Sequence, residues 1–215
     1  MLLTFGPGIG QYTAYSLAKH GCRQLAICDV RPAALKETAE QLQTRWPDIE
    51  VLNLTMDASK EDQVNSAVDE TAKHFSRLDI AVNNAGIGGN ERTHEMTLEQ
   101  WRRVMRVNLD GVWLCQRAQI RQFLKQEPLE PAPRGTRGVI VNVASMLGLV
   151  AASPGTPAVA YSSSKHGVMG LTKTDAAMYA PKGIRINAMC PGYVATPLLI
   201  SATVCASHSI ALVPF

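Results

Sequence analysis

Short apolar segments alternate with longer segments of helical pattern along most of the chain, and this alternation constrains the fold more than any other sequence feature. The clearest short segment is Val139–Val143, a mostly β-branched run typical of a strand that is buried on both faces. Because helical stretches separate the short segments, the strands are expected to run parallel. The predicted strands are Met1–Phe5, Gln24–Cys28, Val51–Met56, Leu78–Asn83, Val139–Val143 and Arg185–Met189.

The intervening stretches predict helices. Two of them open at apparent capping boxes, Ser59–Asp62 and Thr97–Gln100, and the proline- and glycine-containing stretch Glu127–Gly138 is predicted to be a surface loop. Right-handed crossovers between parallel strands give an α/β fold, a doubly wound parallel sheet of Rossmann type in three α/β/α layers. The predicted helices are Ile9–His20, Pro32–Arg45, residues 59–75, a long helix from Thr97 to near Lys125, and Ala160–Tyr179.

The composition excludes several classes of protein. Hydrophobic residues make up 46% of the chain and charged residues 18%, so a full core can form and wholesale disorder is excluded. A net charge of +3, with scattered basic residues, is too weak to indicate a nucleic-acid partner. The five cysteines form no CxxC pair and the five histidines show no ligand spacing, which argues against a disulfide framework or a metal site. With no signal-peptide pattern at the start, these features predict a reducing, cytoplasmic location.

The C-terminal part of the sequence carries no Asp, Glu, Lys or Arg after Arg185. An uncharged run of this length can be a membrane span. Pro191 and Gly192 interrupt the run, so a buried strand followed by an apolar tail is the preferred interpretation. The expected organisation is a single domain over residues 1–197 and an atypical tail over residues 198–215.

A glycine-rich turn, Gly6-Pro7-Gly8-Ile9-Gly10, lies between the first strand and the first helix. Glycines permit close approach to a pyrophosphate, and N–H groups at the helix start face its charge, although such a turn can also be no more than a turn. Asp29 ends the second strand, 19 residues beyond Gly10, where an acid binds ribose hydroxyls, unless it is an ordinary residue before a turn. Its carboxylate favours NAD over NADP, although Arg31 could offset the charge. Asp57 is placed to accept from an adenine amino group, or to cap the next helix.

Three residues predict proton-transfer chemistry. Tyr161 and Lys165 are four residues apart on a predicted helix and share one face, although such a pair also arises by chance. A nearby ammonium group is expected to lower the pKa of the phenol, which could then exchange a proton with an alcohol or a ketone. Ser145 follows the buried strand at its carboxyl end, where ligands bind in such sheets, and its hydroxyl can hold a carbonyl oxygen.

Two further polar segments belong to the same predicted edge. The run Asn83-Asn84-Ala85-Gly86 follows the fourth strand, and its small residues permit close approach of a cofactor. Asn108 lies inside the long predicted helix, where asparagine is a mediocre former. It is therefore expected either to have a functional role or to be a buried asparagine with satisfied hydrogen bonds.

Taken in order, these motifs resemble the classical short-chain dehydrogenase/reductase family over about residues 2–197. The resemblance implies an NAD(P)-dependent oxidoreductase that moves hydride between the nicotinamide and a ketone/secondary alcohol pair. It implies that Tyr161 is the general acid/base, Ser145 positions the reacting oxygen, Lys165 binds the nicotinamide ribose and tunes Tyr161, and Asn108 holds a water in the proton relay. The matching motifs are Gly8-Ile9-Gly10, Asp57, Asn83-Asn84-Ala85-Gly86, Asn108, Ser145, Tyr161-x-x-x-Lys165 and Pro191-Gly192-Tyr193-Val194-Ala195-Thr196-Pro197.

The resemblance also implies a small-molecule substrate, no nucleic-acid or membrane partner, and a homo-oligomer if the long helices pack as in the family. The cofactor is expected to be NAD(H), favoured by Asp29, with NADP(H) as the alternative. The residues expected to bind it are Gly6, Gly8, Ile9, Gly10, Asp29, Asp57, Asn84, Ala85, Gly86, Tyr161, Lys165, Pro191, Gly192, Val194 and Thr196.

Three features depart from the family pattern. Thr4 stands where the first glycine of the family's turn falls, and Ala151–Pro157 resembles an insertion that lengthens the spacing from Ser145 to Tyr161 to 16 residues. Residues 198–215 show no pattern for the family's closing helix and strand, so we expect a form truncated at both ends with an exposed apolar flank and lowered stability. The alternatives are therefore an impaired relative that at most binds nucleotide and, less favoured, a membrane-associated form.

Overall fold

The computed structural model describes residues 1–4, 8–89, 91–129 and 135–196. Its strands are β1 (Leu2–Thr4), β2 (Gln24–Asp29), β3 (Glu50–Thr55), β4 (Ile80–Asn83), β5 (Gly138–Val143) and β6 (Ile184–Met189). They form a six-stranded parallel sheet in the order β3-β2-β1-β4-β5-β6. The predicted doubly wound parallel sheet is therefore confirmed.

The strand order reverses at β1, which lies between β2 and β4. Thr4 pairs with Cys28 on one side and with Asn83 on the other, so the three strands end at the same edge. In doubly wound sheets, ligands bind in the crevice at the carboxyl ends of the strands beside such a switch point. The topology therefore places the candidate residues that follow β1, β4 and β5 at one edge of the sheet.

The helices agree with the predicted ones except in one element. The predicted long helix is wrong as a single α-helix, because a π-helical turn, Arg106–Asp110, divides it into α4 and α5. In this turn the Gly111 N–H donates to the Arg106 carbonyl, five residues back. The helices are α1 (Ile9–Lys19), α2 (Pro32–Arg45), α3 (Glu61–Phe75), α4 (Leu98–Met105), α5 (Gly111–Lys125) and α6 (Val159–Tyr179), with 3₁₀ turns at Met146–Gly148 and Ala180–Lys182.

The two predicted capping boxes have different outcomes. The box at Thr97 is confirmed, since its hydroxyl accepts from the Gln100 N–H and its own N–H donates to the Gln100 side chain. The box at Ser59 is wrong, because α3 begins after Lys60 without a side-chain cap. The Ser59 N–H instead donates to the Asp57 carboxylate at 2.9 Å. The Asp57 side chain therefore binds the turn just before α3 and does not cap the helix.

The core lies on both faces of the sheet. Successive residues of β2 point to opposite sides, so Leu25 and Ile27 pack in one buried cluster while Ala26 and Cys28 pack in the other. Every one of these side chains is at most 1% exposed. Helices therefore cover the sheet from both sides, as the predicted three layers require.

Some predictions fall outside the described residues. These are Gly6 in the glycine-rich turn, the predicted tail 198–215, and residues 130–134 of the predicted loop; residues 127–129 and 135–137 do lie in a loop. Among the helices that the structure describes, none combines the length and the apolar character needed to cross a membrane.

Candidate active site

The predicted catalytic residues meet where β5 ends and α6 begins. Lys165 lies inside α6 with 3% of its surface exposed. Its Nζ donates to the Val143 carbonyl at 2.8 Å and lies 5.6 Å from the centre of the Tyr161 ring. Ser145, two residues beyond the end of β5, is buried and lies close enough to Tyr161 to affect the pKa of the phenol. The structure therefore brings Ser145, Tyr161 and Lys165 together, as the sequence predicted.

Burial has a strong effect on the two titratable members of this group. Burial raises the pKa of Tyr161 above its ordinary value, and the nearby Ser145 hydroxyl only partly opposes this effect. Burial lowers the pKa of Lys165 to about 8, with Cys190 as an opposing influence. The expectation that Lys165 lowers the pKa of the phenol is therefore wrong for this arrangement, because desolvation of the phenol outweighs the other contributions.

Asn108 lies in the π-helical turn and is fully buried. Its Oδ1 accepts from the Ile87 N–H at 2.8 Å, and its Nδ2 donates to the Ile87 carbonyl at 2.9 Å and to the Ser164 hydroxyl at 3.3 Å. The expectation of a buried asparagine with satisfied hydrogen bonds is therefore confirmed, and this asparagine clamps the loop after β4 to α6. The role in holding a water stays a prediction, and the amide hydrogens of the side chain are already engaged.

Gly86, in the loop after β4, lies beside Asn108 and Lys165. A Cβ placed on Gly86 would lie 3.4 Å from Asn108 Oδ1 and 3.6 Å from Lys165 Nζ. Asn84 and Ala85, the residues before it, are half-buried. The loop therefore passes close to the buried lysine, with no side chain of its own between them at Gly86.

The glycine-rich turn starts α1 in a conformation that favours glycine. Gly8 has a φ of 95° and Gly10 is buried. The first turn of α1, described from Ile9 onward, has no acidic residue, and no side chain caps the helix. This helix start fits an anionic group such as a pyrophosphate.

Asp29 is buried at the end of β2 and is held by Arg31. Its Oδ1 accepts from the Arg31 backbone N–H at 2.9 Å and from Nε at 3.0 Å, while Oδ2 accepts from Nη2 at 3.1 Å. Half of the arginine side chain is exposed, whereas the carboxylate is 5% exposed. Arg31 therefore pairs with the Asp29 carboxylate and offsets its negative charge, as the sequence allowed.

Asp57 and the segment after β6 follow the carboxyl ends of the two edge strands of the sheet. Asp57 is half-buried, and its carboxylate accepts from Ser59, as described above. The Pro191 carbonyl accepts from the Met146 N–H at 2.9 Å, which ties the segment after β6 to the turn after Ser145. Gly192 and Val194 follow in this segment, and Thr196 is buried. Pro191 and Gly192 therefore lie beside the turn that follows Ser145.

Sequence reasoning missed two residues of the site. Ser164 donates to the Tyr161 carbonyl at 2.6 Å and accepts from Asn108. It therefore joins α6 to the π-helical turn. Gly148 packs against the backbone of Lys165. A serine one residue before the lysine was visible in the sequence, but its partners were not. Among the described residues, no three His, Cys, Asp or Glu side chains are grouped to hold a metal ion.

Comparisons with known proteins agree with this geometry. Residues 2–204 match the family model described as short chain dehydrogenase. The short-chain dehydrogenase fogB of Aspergillus ruber is 37% identical over 206 residues, covering 92% of this chain and 74% of the relative.

Solved structures give the same result. The crystal structure of levodione reductase matches with a TM-score of 0.84 and 34% identity, covering 94% of this chain and 74% of that one. An actinorhodin polyketide ketoreductase, solved with NADPH, matches with a TM-score of 0.83 and 33% identity, over 95% of this chain and 74% of that one. The chain thus belongs to the short-chain dehydrogenase/reductase family of oxidoreductases.

Proposed function

We propose that this enzyme transfers a hydride between a nicotinamide dinucleotide and a ketone/secondary alcohol pair. The observation that carries the proposal is the grouping of Ser145, Tyr161 and Lys165 at the carboxyl edge of the sheet. Relatives that are named dehydrogenases and ketoreductases support the same reaction class.

Side chains of the protein itself carry out the proton transfer. In the reducing direction the Tyr161 hydroxyl gives its proton to the carbonyl oxygen of the substrate, and in the oxidising direction the phenolate takes the proton of the alcohol. Ser145 holds the reacting oxygen through its hydroxyl. The raised pKa of Tyr161 keeps the phenol protonated at neutral pH, which suits the reducing direction. The buried Lys165 then supplies a positive charge whose protonation changes near its pKa of about 8.

The residues of the switch-point edge fit a dinucleotide. When bound, the dinucleotide supplies or accepts the hydride. The helix start at Gly8, Ile9 and Gly10 would hold the pyrophosphate, and Lys165 the nicotinamide ribose. The remaining residues proposed to contact it are Gly6, Asp29, Asp57, Asn84, Ala85, Gly86, Pro191, Gly192, Val194 and Thr196.

NAD(H) is the proposed preference and NADP(H) the alternative. The Asp29 carboxylate lies where ribose hydroxyls are bound in this fold. The ion pair with Arg31 reduces its negative charge, so the discrimination against a 2′-phosphate is expected to be modest. We also place the enzyme in the cytoplasm as a homo-oligomer acting on a small molecule. Thiols without disulfide partners in the described part of the chain, Cys22, Cys28, Cys115 and Cys190, support a reducing compartment.

The test is the Tyr161→Phe substitution, which removes only the phenolic oxygen. We expect kcat to fall by about 10²–10⁴-fold because a positioned acid/base is lost. Dinucleotide affinity, measured by fluorescence titration, should stay at the wild-type value. Tyr179→Phe, at the other end of α6, is the matched control and should keep full activity. Wild-type turnover in the Tyr161→Phe enzyme would overturn the assignment, whereas nucleotide binding without turnover in the wild type would favour the impaired relative.

A further inference from the structure

A close backbone contact joins the turn after Ser145 to helix α6. A Cβ placed on Gly148 would lie 2.7 Å from the Lys165 carbonyl oxygen and 2.9 Å from its carbonyl carbon. Contacts this short do not occur for real Cβ atoms. Because both neighbours are backbone atoms, only a movement of the turn or of the helix could relieve them.

The turn that carries Gly148 is bound tightly to Ser145. The Gly148 N–H donates to the Ser145 carbonyl at 2.9 Å, and the Leu147 N–H donates to the Ser145 hydroxyl at 3.2 Å. The Met146 N–H donates to the Pro191 carbonyl at 2.9 Å. A displacement of the turn would therefore carry Ser145 and the segment at Pro191 with it.

Helix α6 is also bound to the end of β5. Lys165 Nζ donates to the Val143 carbonyl, the last residue of β5, at 2.8 Å. The strand end, Ser145, the turn and the helix thus form a closed ring of contacts, and Gly148 is the point where turn and helix backbones touch. We propose that Gly148 is a positioning residue, whose missing side chain sets the separation between Ser145 and the pair Tyr161 and Lys165. This inference rests on the proposed function for its catalytic consequence.

An alanine at position 148 would widen that separation. A displacement near 1 Å in an active site can cost about 10²-fold in rate. The influence of the Ser145 hydroxyl, which opposes the rise in the pKa of the Tyr161 phenol, would weaken. Lys165, on the same helix, has its Nζ 5.6 Å from the centre of the Tyr161 ring, and Cys190 in turn affects the pKa of Lys165. Neither is altered by the substitution, so the pKa of Tyr161 should rise.

The experiment compares Gly148→Ala with two other glycine-to-alanine variants. Gly170→Ala lies on α6, where a Cβ would meet nothing within 4 Å. Gly138→Ala lies at the opposite end of β5 from Ser145, and its Cβ would meet the Phe123 ring at 2.5 Å. The first variant controls for alanine in this helix, and the second for loss of stability remote from the site. The measurements are kcat and KM across pH for alcohol oxidation, and thermal melting.

For Gly148→Ala we expect kcat to fall by about 10²-fold and the limb of activity that needs the phenolate to move to higher pH. Gly138→Ala should lower the melting temperature without moving the pH profile. Gly170→Ala should change neither the melting temperature nor the pH profile. A Gly148→Ala enzyme with wild-type kcat and pH profile would overturn the proposal. The proposal would also be overturned if Gly138→Ala moved the pH profile as far as Gly148→Ala does, because lowered stability alone would then explain the shift.

A second measurement does not depend on turnover. Crystal structures of the wild type and of Gly148→Ala should show a longer distance between the hydroxyl oxygens of Ser145 and Tyr161 in the variant. An unchanged separation would refute the positioning role even if no substrate is turned over. A wild-type chain without activity, together with a widened separation in the variant, would refute the proposed function and leave the positioning role intact.

Discussion

Asp29 and Arg31 set the charge that the adenosine end of a dinucleotide would meet. Arg31→Ala removes the guanidinium that binds both carboxylate oxygens. The freed carboxylate should accept ribose hydroxyls better and repel a 2′-phosphate more strongly. We expect the ratio of the NADP(H) to the NAD(H) dissociation constant to rise by about tenfold, which corresponds to about 1.4 kcal/mol. Fluorescence titration of both dinucleotides measures this ratio.

The control for this prediction is Lys36→Ala, which removes one positive charge from an exposed residue of α2. Its ratio of dissociation constants should stay at the wild-type value. An unchanged ratio in Arg31→Ala would mean that Asp29 does not face the ribose, and that the preference for NAD has another origin.

For Tyr161, also at the residue scale, the sequence predicted the position of the side chain but not its pKa. The spacing to Lys165 correctly predicted that both side chains share one face of a helix. It could not predict the direction of the phenol's pKa change, because that direction depends on how far the surrounding chain buries the ring. Gly148 was missed for a similar reason, since its role lies in a contact with a backbone 17 residues further along the sequence.

At the scale of elements, a polar network joins the sheet to the helices beside the site. Asn142, on β5, donates from Nδ2 to Gln116 Oε1 at 2.7 Å and to Thr172 Oγ1 at 2.9 Å. It also accepts from Asn83, on β4, at 2.9 Å. All four side chains are buried. The network therefore fixes β4 and β5 against α5 and α6 just before the loops that carry the candidate residues.

Asn142→Ala should leave these three partners without one of their hydrogen bonds inside the core. We expect the free energy of unfolding to fall by about 2–4 kcal/mol because buried polar groups lose their partners. Chemical denaturation measures the change, with Asn53→Ala on the exposed side of β3 as the control. Equal stability of the two variants would show that the network contributes little.

Elements were predictable where the pattern is local. The bounds of α2 and the capping box at Thr97 depend on residues that are close in sequence, and the structure confirms both predictions. The π-helical turn at Arg106–Asp110 was not predictable, because the helical period of the sequence continues through it. Its position follows from a distant contact, the clamp between Asn108 and Ile87.

At the scale of the whole molecule, the predicted sheet follows from connectivity. Alternation of strands and helices, with right-handed crossovers, leaves few orders for six parallel strands, and the observed order is the one expected for a doubly wound sheet. This architecture places a lysine in the interior, and a buried ammonium group is expected to cost stability. The cost should depend on pH, because Lys165 titrates at a lower pH in the folded than in the unfolded chain.

The pKa of Lys165 is about 8 in the folded protein, against 10.5 as its ordinary value. Between these values the unfolded chain holds a proton that the folded chain lacks, so the contribution of Lys165 to the free energy of unfolding rises with pH from about 8 to 10.5. Below pH 8 both states are protonated and the cost is complete. The free energy of unfolding of the wild type, relative to Lys165→Met, should therefore increase by about 3 kcal/mol across this window.

Chemical denaturation of both proteins at pH 7, 9 and 10.5 measures this difference. Tyr161 is present in both, so the effect of its raised pKa above pH 10 cancels in the comparison. Lys173→Met removes an exposed lysine from the same helix and serves as the control for the loss of one positive charge. If the difference between wild type and Lys165→Met stays constant with pH, or falls as the pH rises, then Lys165 keeps its proton in the folded protein through this range. In that case neighbouring groups stabilise the ammonium enough to offset its burial. Lys165 would then stay charged throughout this pH range and would not titrate near pH 8.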